Sequence, residues 1–514
     1  MKKRKLLKVI ELVFCTLFIS IFVFSFFINK HFNNLSFEHL LFNLIYSKGA
    51  DYNIFYRGLF FGFIVLILFY ILVFIKNKIF SLLKIKTFIN ISVNNKYIKI
   101  DLFKKSFLKT FVFLFCFGFI LLYKSFDYLN LSEYIENQRV STSLFEDYYV
   151  DGKKVNLKFP NEKRNLIYIY LESMESTNVS KENGGLYDKS LIPNLERIAL
   201  DNINFSNTEM IGGSVFINNT GWTTAAMIAS TSGLPLKVID PNNYANYSDS
   251  LPGAYSLGDI LENNGYNNYL MIGSDANFGG RKDYFKSHGN YTIYDYYYAQ
   301  ENGMIEKDYY VWWGYEDLKL FEFAKDKILD ASKQNNPFNF TILTADTHFI
   351  DGYQDNTCKN IFDINYANSF YCSDQKVFEF LEWIKEQDFY DNTTIVITGD
   401  HLAAQSVYYD NDFYANLGDY KQTIYNSIIN SPINPINEKN RIFTSLDFFP
   451  TTLASLGVEI EGNKMGLGVN LFSDVQTLAE QIGGENLSRE ISKKSFFYDN
   501  IILGETYYEM NGLK

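Results

Sequence analysis

The run TIVITGDH at residues 394–401 closes a β-branched strand with adjacent Asp400 and His401, placing a carboxylate and an imidazole at one strand's carboxyl edge. A second strand-like run, NLIYIYLE at 165–172, ends in Glu172, and the hydroxyl-rich turn NTGWT at 219–223 lies between the two in sequence. Glu172, Asp400, His401 and one threonine hydroxyl together make a ligand set that suits an oxygen-preferring divalent metal. Thr220 stands where the loop GGSVFINN (212–219) gives way to the helix-favouring run TTAAMIAS (223–230). At such a helix start a hydroxyl can bind a cation and lose its proton, while free backbone N–H groups hold a phosphate. Thr220 is therefore the expected nucleophile, with a plain N-cap as its structural alternative. Thr223 and Thr224 are rival nucleophiles, but in a helix beginning near Trp222 their hydroxyls are expected to turn back onto the backbone.

The chain has only five histidines. His31 and His39 fall in a membrane-proximal loop, His288 reads as structural, His348 follows a strand beside Asp346, and His401 has the ligand context. Arg281 offers a fork suited to phosphate, against the alternative of a surface salt bridge.

These residues need a frame that collects strand ends. From residue 165 onward, strand-like runs near 165–171, 203–205, 269–272, 338–343 and 393–398 alternate with helix-like runs near 193–199, from 222, and near 257–262, 316–331 and 366–386. A more irregular tail follows. The alternation predicts an α/β domain on a largely parallel central sheet flanked by helices, with ligands gathering at the carboxyl edge. Glu172, Asp346, His348, Asp400 and His401 all follow predicted strands.

Apolar runs at 9–28, 59–75 and 107–123 are read as three N-terminal transmembrane helices, long enough for a hydrocarbon core about 30 Å thick. The expected organisation is a membrane domain at 1–124, a connector at 125–164 and a catalytic domain at 165–514. Eight lysines between Lys76 and Lys105 face the single acid Asp101, and five basic residues occupy the first eight positions. Basic short loops stay cytoplasmic, so the N-terminus is expected inside and the catalytic domain outside the cytoplasmic membrane. Residues 1–125 hold 18 Lys+Arg against 4 Asp+Glu, and the remainder 29 against 54, or about −25. Such a surface argues against nucleic acid as a partner and requires a local positive site for any anionic substrate. Cys15 and Cys116 fall within spans, whereas Cys358 and Cys372 lie outside, where an oxidising compartment permits a disulfide between them; two separate thiols are the alternative.

Several motifs extend this reading: NLIYIYLES (165–173), GWTTAAMIAS (221–230), SDANFGGR (274–281), TADTH (344–348), NSFYCSD (368–374) and the Asp400–His401 pair. Through them residues 160–460 resemble the membrane-anchored phosphoglycerol and phosphoethanolamine transferases of the alkaline phosphatase and sulfatase superfamily. The branch that transfers phosphoglycerol to osmoregulated periplasmic glucans is the most similar, and lipoteichoic acid synthases are more distant. The resemblance implies one divalent metal, manganese before magnesium or zinc, held by Glu172, Thr220, Asp400 and His401. It also implies a glycerophospho-Thr220 intermediate, glycerophosphate held by Arg281 and His348, phosphatidylglycerol as donor and a glycan as acceptor. Lipoteichoic acid synthases carry a Trp two residues before the substrate Arg, where this chain has Gly279; Trp312 or Trp313 could supply that ring. The turn lacks the Pro and Arg of a formylglycine sulfatase. A phosphoethanolamine transferase and an inactive membrane scaffold are the rival readings.

Overall fold

The computed structural model describes residues 2–31, 36–45, 53–83, 88–93, 96–101, 107–237, 251–403 and 420–504. The chain divides into two compact units, Met1–Phe32 with Asp51–Glu133, and Asn33–Ala50 with Tyr134–Lys514. The division differs from expected boundaries at 124 and 164, because residues 33–50 and most of the connector pack with the later chain.

In the first unit, α1 (Lys2–His31) packs against α3 (Asn53–Leu83) and α4 (Phe107–Tyr128), and Phe88–Val93 pairs antiparallel with Lys96–Asp101. All three expected spans are helical. Among the described residues, Leu12–Lys30 is the stretch long and apolar enough to cross a membrane, and Tyr56–Ile71 is a shorter apolar helix. Lys84, Lys86, Lys104 and Lys105 of the basic loop lie outside the described residues.

The second unit is built on one seven-stranded sheet. Its strands are β1 (Asn165–Leu171), β2 (Gly213–Val215), β3 (Asn267–Ile272), β4 (Thr292–Tyr294), β5 (Phe338–Leu343), β6 (Thr393–Gly399) and β7 (Thr423–Ile429). Their spatial order is β2-β7-β6-β1-β5-β3-β4. The five from β6 to β4 run parallel, and β7 is antiparallel to both neighbours. Alternation along β1 sends Leu166, Tyr168 and Tyr170 into one apolar layer with Met227 and Phe449, and Ile167, Ile169 and Leu171 into the other with Leu195, Phe321 and Phe370. A strand buried on both faces reads as a continuous apolar run, which is why β1, β5 and β6 stand out in the sequence.

Helices cover both faces: α6 (Pro193–Asp201), started by a proline with preset φ, then α7 (Thr223–Ser232), α8 (Arg281–Ser287), α9 (Asp317–Ser332) and α10 (Asn365–Lys385). Two expectations are corrected. Residues 203–205 make only a bridge from Ile203 to Ile428, because the Asn204 amide N–H donates to Glu438 and its side chain donates to the Asn426 carbonyl. The tail is less irregular than expected, since β7 belongs to the main sheet. Cys358 is joined to Cys372 of α10 in a disulfide.

Candidate active site

Four neighbouring parallel strands, β6, β1, β5 and β3, deliver the site residues from their carboxyl ends. Leu171 and Gly399 are register partners, so the next residue on each strand, Glu172 and Asp400, meet. Ser173 then takes φ 54, a left-handed conformation uncommon for a residue with a Cβ, and turns the chain away. Its amide donates to Asp400 Oδ1 at 2.8 Å, as does the His401 amide at 2.8 Å. Thr344 accepts the Glu172 amide at 3.0 Å, and the Thr347 hydroxyl donates to the Glu172 carbonyl, so the loop after β5 fixes the residue after β1.

Glu172, Asp400 and His401 are buried, with one ligand atom from each lying within 4.8 Å of the others. His401 Nε2 is 3.5 Å from Glu172 Oε1 and 3.4 Å from Asp400 Oδ2. Its Nδ1 faces the Leu402 carbonyl at 2.8 Å, which keeps the proton on Nδ1 and leaves Nε2 as a ligand atom. Asp400 Oδ2 is buried and accepts no hydrogen bond from the described residues. Burial, then the neighbouring Glu172, pushes the Asp400 carboxyl up to about 7. An orphaned carboxylate oxygen beside a second acid and an imidazole nitrogen fits a divalent cation.

The Thr220 and Thr223 hydroxyls have different surroundings. Thr220 is buried, but its hydroxyl donates to the Ile217 carbonyl at 2.8 Å. The hydroxyl at the carboxylate belongs to Thr223, 3.4 Å from Glu172 Oε2. Trp222 is the extended N-cap of α7, with φ −145 and ψ 157, and Thr223 is the first helical residue. A residue at that position has no helical carbonyl one turn behind it, so its hydroxyl is not drawn back. The expected back-bonding occurs deeper in the helix, where Thr231 donates to Met227 and Ser232 to Ile228. The opening amides of α7 also lack acceptors within the helix and present a positive dipole end.

Thr223, Glu172, Arg281, His348 and Trp313 line one pocket. Arg281 is 5% exposed; its Nε donates to the Phe278 carbonyl at 2.9 Å and one Nη to the Asp275 carbonyl at 3.0 Å. Burial lowers its pKa to about 10, against the opposing pull of Glu172 and Asp275, and the guanidinium stays charged. His348 is pressed down to about 4 by burial, with His401 and Arg281 adding to the effect, so its imidazole is neutral at neutral pH. Its Nδ1 faces the Phe349 carbonyl at 2.7 Å, leaving Nε2 as an acceptor.

Gly279 has φ 67, and a Cβ there would lie 2.4 Å from Thr224 Oγ1, so a bulky residue is excluded at that position. The ring comes instead from Trp313, stacked on Phe278 at 5.5 Å and tilted against His348 at 4.5 Å. Trp312 serves the scaffold, donating Nε1 to the Ala345 carbonyl at 3.0 Å. His288 pairs with Asp259 at 3.0 Å, in keeping with its structural reading. A support for the His348 loop was not anticipated: Asp317 accepts the Ala345 and Asp346 amides at 2.8 and 3.0 Å, and Lys376 bridges Asp346 and Asp355 at 2.6 Å each. His39, passed over in sequence, also packs into this unit against Trp222.

The sulfatase family model matches residues 164–458. Phosphoglycerol transferase I of Xanthomonas axonopodis pv. citri is 31% identical over 304 residues, covering 58% of this chain and 41% of that protein. Phosphoglycerol transferase I of Citrobacter koseri is 34% identical over 284 residues, covering 53% of this chain and 35% of its own length. The matches thus span less than half the length of these curated relatives. A crystal structure of a protein in the alkaline phosphatase superfamily from Vibrio parahaemolyticus is similar with TM-score 0.51 and 22% identity, covering 65% of this chain and 77% of that one.

Proposed function

Because the chain belongs to the sulfatase family, we propose that its pocket is the active site of a membrane-anchored, metal-dependent transferase that moves glycerophosphate from phosphatidylglycerol to a glycan hydroxyl. The observation that carries this reading is the convergence of Thr223, the Glu172–Asp400–His401 trio, Arg281 and His348 at one sheet edge. The chemistry of the lining supports this donor: among the described residues that line the pocket Glu172 is the only acid, and it belongs to the cation trio. Among the described lining residues no second carboxylate faces a head group, whereas Arg281 suits a phosphodiester and Trp313 a small uncharged glycerol. The curated relatives named for phosphoglycerol transfer support the same choice.

In the first step the Thr223 oxygen attacks phosphorus, the ester bond to diacylglycerol breaks, and the hydroxyl proton passes to the departing oxygen. The product is a glycerophospho-threonine. In the second step an acceptor hydroxyl attacks the same phosphorus, Thr223 leaves, and the acceptor's proton returns to it. Arg281 neutralises the phosphoryl oxygens, and the free Nε2 of His348 accepts from the entering hydroxyl. A divalent cation held by Glu172, Asp400 and His401 would supply positive charge at the phosphoryl and threonine oxygens, with manganese, magnesium and zinc as candidates. The lipid ester's own bond energy drives transfer, so no nucleotide is needed outside the cell. Three spans, with the N-terminus in the cytoplasm and the pocket on the outer face of the cytoplasmic membrane, would keep the enzyme beside its donor; the apolar helix Leu12–Lys30 and the basic loops support this topology.

Full-length protein given mixed vesicles and a glucan acceptor should release diacylglycerol from phosphatidylglycerol and little from phosphatidylethanolamine. Chelation should abolish release and manganese restore it. Preference for the ethanolamine lipid, or turnover indifferent to chelation, contradicts the reading.

A further inference from the structure

α2 (Phe37–Ile45), a short helix that lies between the first two apolar helices in sequence, belongs to the second unit. Ser36 begins it, accepting the His39 amide at 3.1 Å. Phe42 is 3% exposed and enters the same core as Met227 and Phe449, with Leu41 and Ile45 packed against that core. Phe37 meets Tyr134 of α5 (Leu131–Arg139) at 5.0 Å. The His39 ring lies on the Trp222 indole with centroids 4.7 Å apart and planes 13° apart, and Phe42 meets the same indole at 5.4 Å.

Trp222 is the N-cap of α7 and immediately precedes Thr223. Its Nε1 is buried and has no hydrogen-bond partner among the described residues. No directional bond from that nitrogen orients the indole, so ring packing sets its plane. His39 is half-buried beside Trp222; burial first, and then His401 and His348, lower its pKa to about 3, which makes it a neutral aromatic surface.

We propose that α2 is part of the active site and that His39 is a positioning residue, stacked on Trp222 so that the start of α7 holds the Thr223 hydroxyl against Glu172. The inference rests on Thr223 being the nucleophile. It makes the geometry of the transfer step depend on a segment joined in sequence to an apolar helix on either side.

The test is a single-turnover experiment on full-length protein in phosphatidylglycerol vesicles, following the glycerophosphoryl adduct on Thr223 by quenching and peptide mass spectrometry. His39→Ala should slow adduct formation about tenfold at saturating donor, with metal content and Tm unchanged. His39→Phe, which restores a planar ring without nitrogens, should return the rate to within about twofold of wild type. Wild-type labelling in His39→Ala overturns the proposal, as does a loss that His39→Phe fails to rescue or one that tracks loss of metal. Wild-type protein that never labels Thr223 instead removes the nucleophile on which the inference rests, a failure distinguishable from the other three.

Discussion

Arg281 carries its charge in a place where charge is costly, tied by Nε and one Nη to backbone carbonyls of its own turn and facing a pocket that also contains Glu172 and Thr223. A lost charge-assisted contact is worth about 1.5–3 kcal/mol, so Arg281→Ala should lower phosphatidylglycerol turnover roughly ten- to a hundredfold. Metal content should not change, because a guanidinium is not a ligand; Arg281→Lys should recover only part of the loss, since an ammonium lacks the planar fork. Equal turnover of Arg281→Ala and wild type at matched metal content would remove Arg281 from the site. Glu172, His348, Asp400 and His401 stand out because each follows an apolar strand and a parallel sheet gathers such positions at one edge, whereas Arg281 opens α8 and stands out only by its side chain and the SDANFGGR motif. The sequence favours Thr220, with the Thr223 hydroxyl expected to turn back onto the backbone. The choice turns on which residue is first in α7, and three positions move a hydroxyl from the Ile217 carbonyl to the Glu172 carboxylate. Trp312 and Trp313 are open candidates in sequence; the structure separates them, with Trp313 lining the pocket against His348 and Trp312 bonded to the Ala345 carbonyl.

The loop from β5 to α10 depends on buried charge. Lys376 sits between Asp346 and Asp355, and burial pushes the Asp346 carboxyl up to about 6 despite that lysine. Lys376→Met leaves these acids without their cation and should destabilise the second unit by about 3–5 kcal/mol, read as a lowered Tm. An unchanged Tm would mean that the acids are neutral without it. His348 gives a pH signature. Its pKa falls from 6.5 unfolded to about 4 folded, so between those values the unfolded chain binds the extra proton. Stability should therefore rise with pH across that window, by up to about 1.4 kcal/mol per unit, and be lost as pH falls through it. A bound cation leaves the sign unchanged, because positive charge further disfavours the imidazolium. Denaturation of His348→Gln between pH 5 and 6.5 should show a shallower slope than wild type; an identical slope would place the titrating group elsewhere. Elements of this kind differ in how openly the sequence announces them. The buried parallel strands are mostly apolar or β-branched, whereas β7, TIYNSII, carries Asn426 and Ser427 mid-strand, and Asn426 pairs with the Phe205 backbone. The nine residues of α2 are too few to declare a helix without the core that Phe42 enters.

At the scale of the whole molecule, the charge partition narrows function before any site is assembled: a basic N-terminal part and a later part near −25 argue against a nucleic-acid partner and require a local positive site for an anionic substrate. The fold then supplies that pocket at the edge where the sulfatase-family segment, residues 164–458, gathers its strand ends. In the proposed reaction, covalent transfer through Thr223 joins the cation trio, the arginine and the lipid donor. Full-length protein incubated with phosphatidylglycerol vesicles and no acceptor, quenched in acid and mapped by peptide mass spectrometry, addresses that transfer directly. The expected result is a glycerophosphoryl group on Thr223, lost when a glucan acceptor is added and absent from Thr223→Ala. An adduct on Thr220, or turnover that persists in Thr223→Ala, would contradict it.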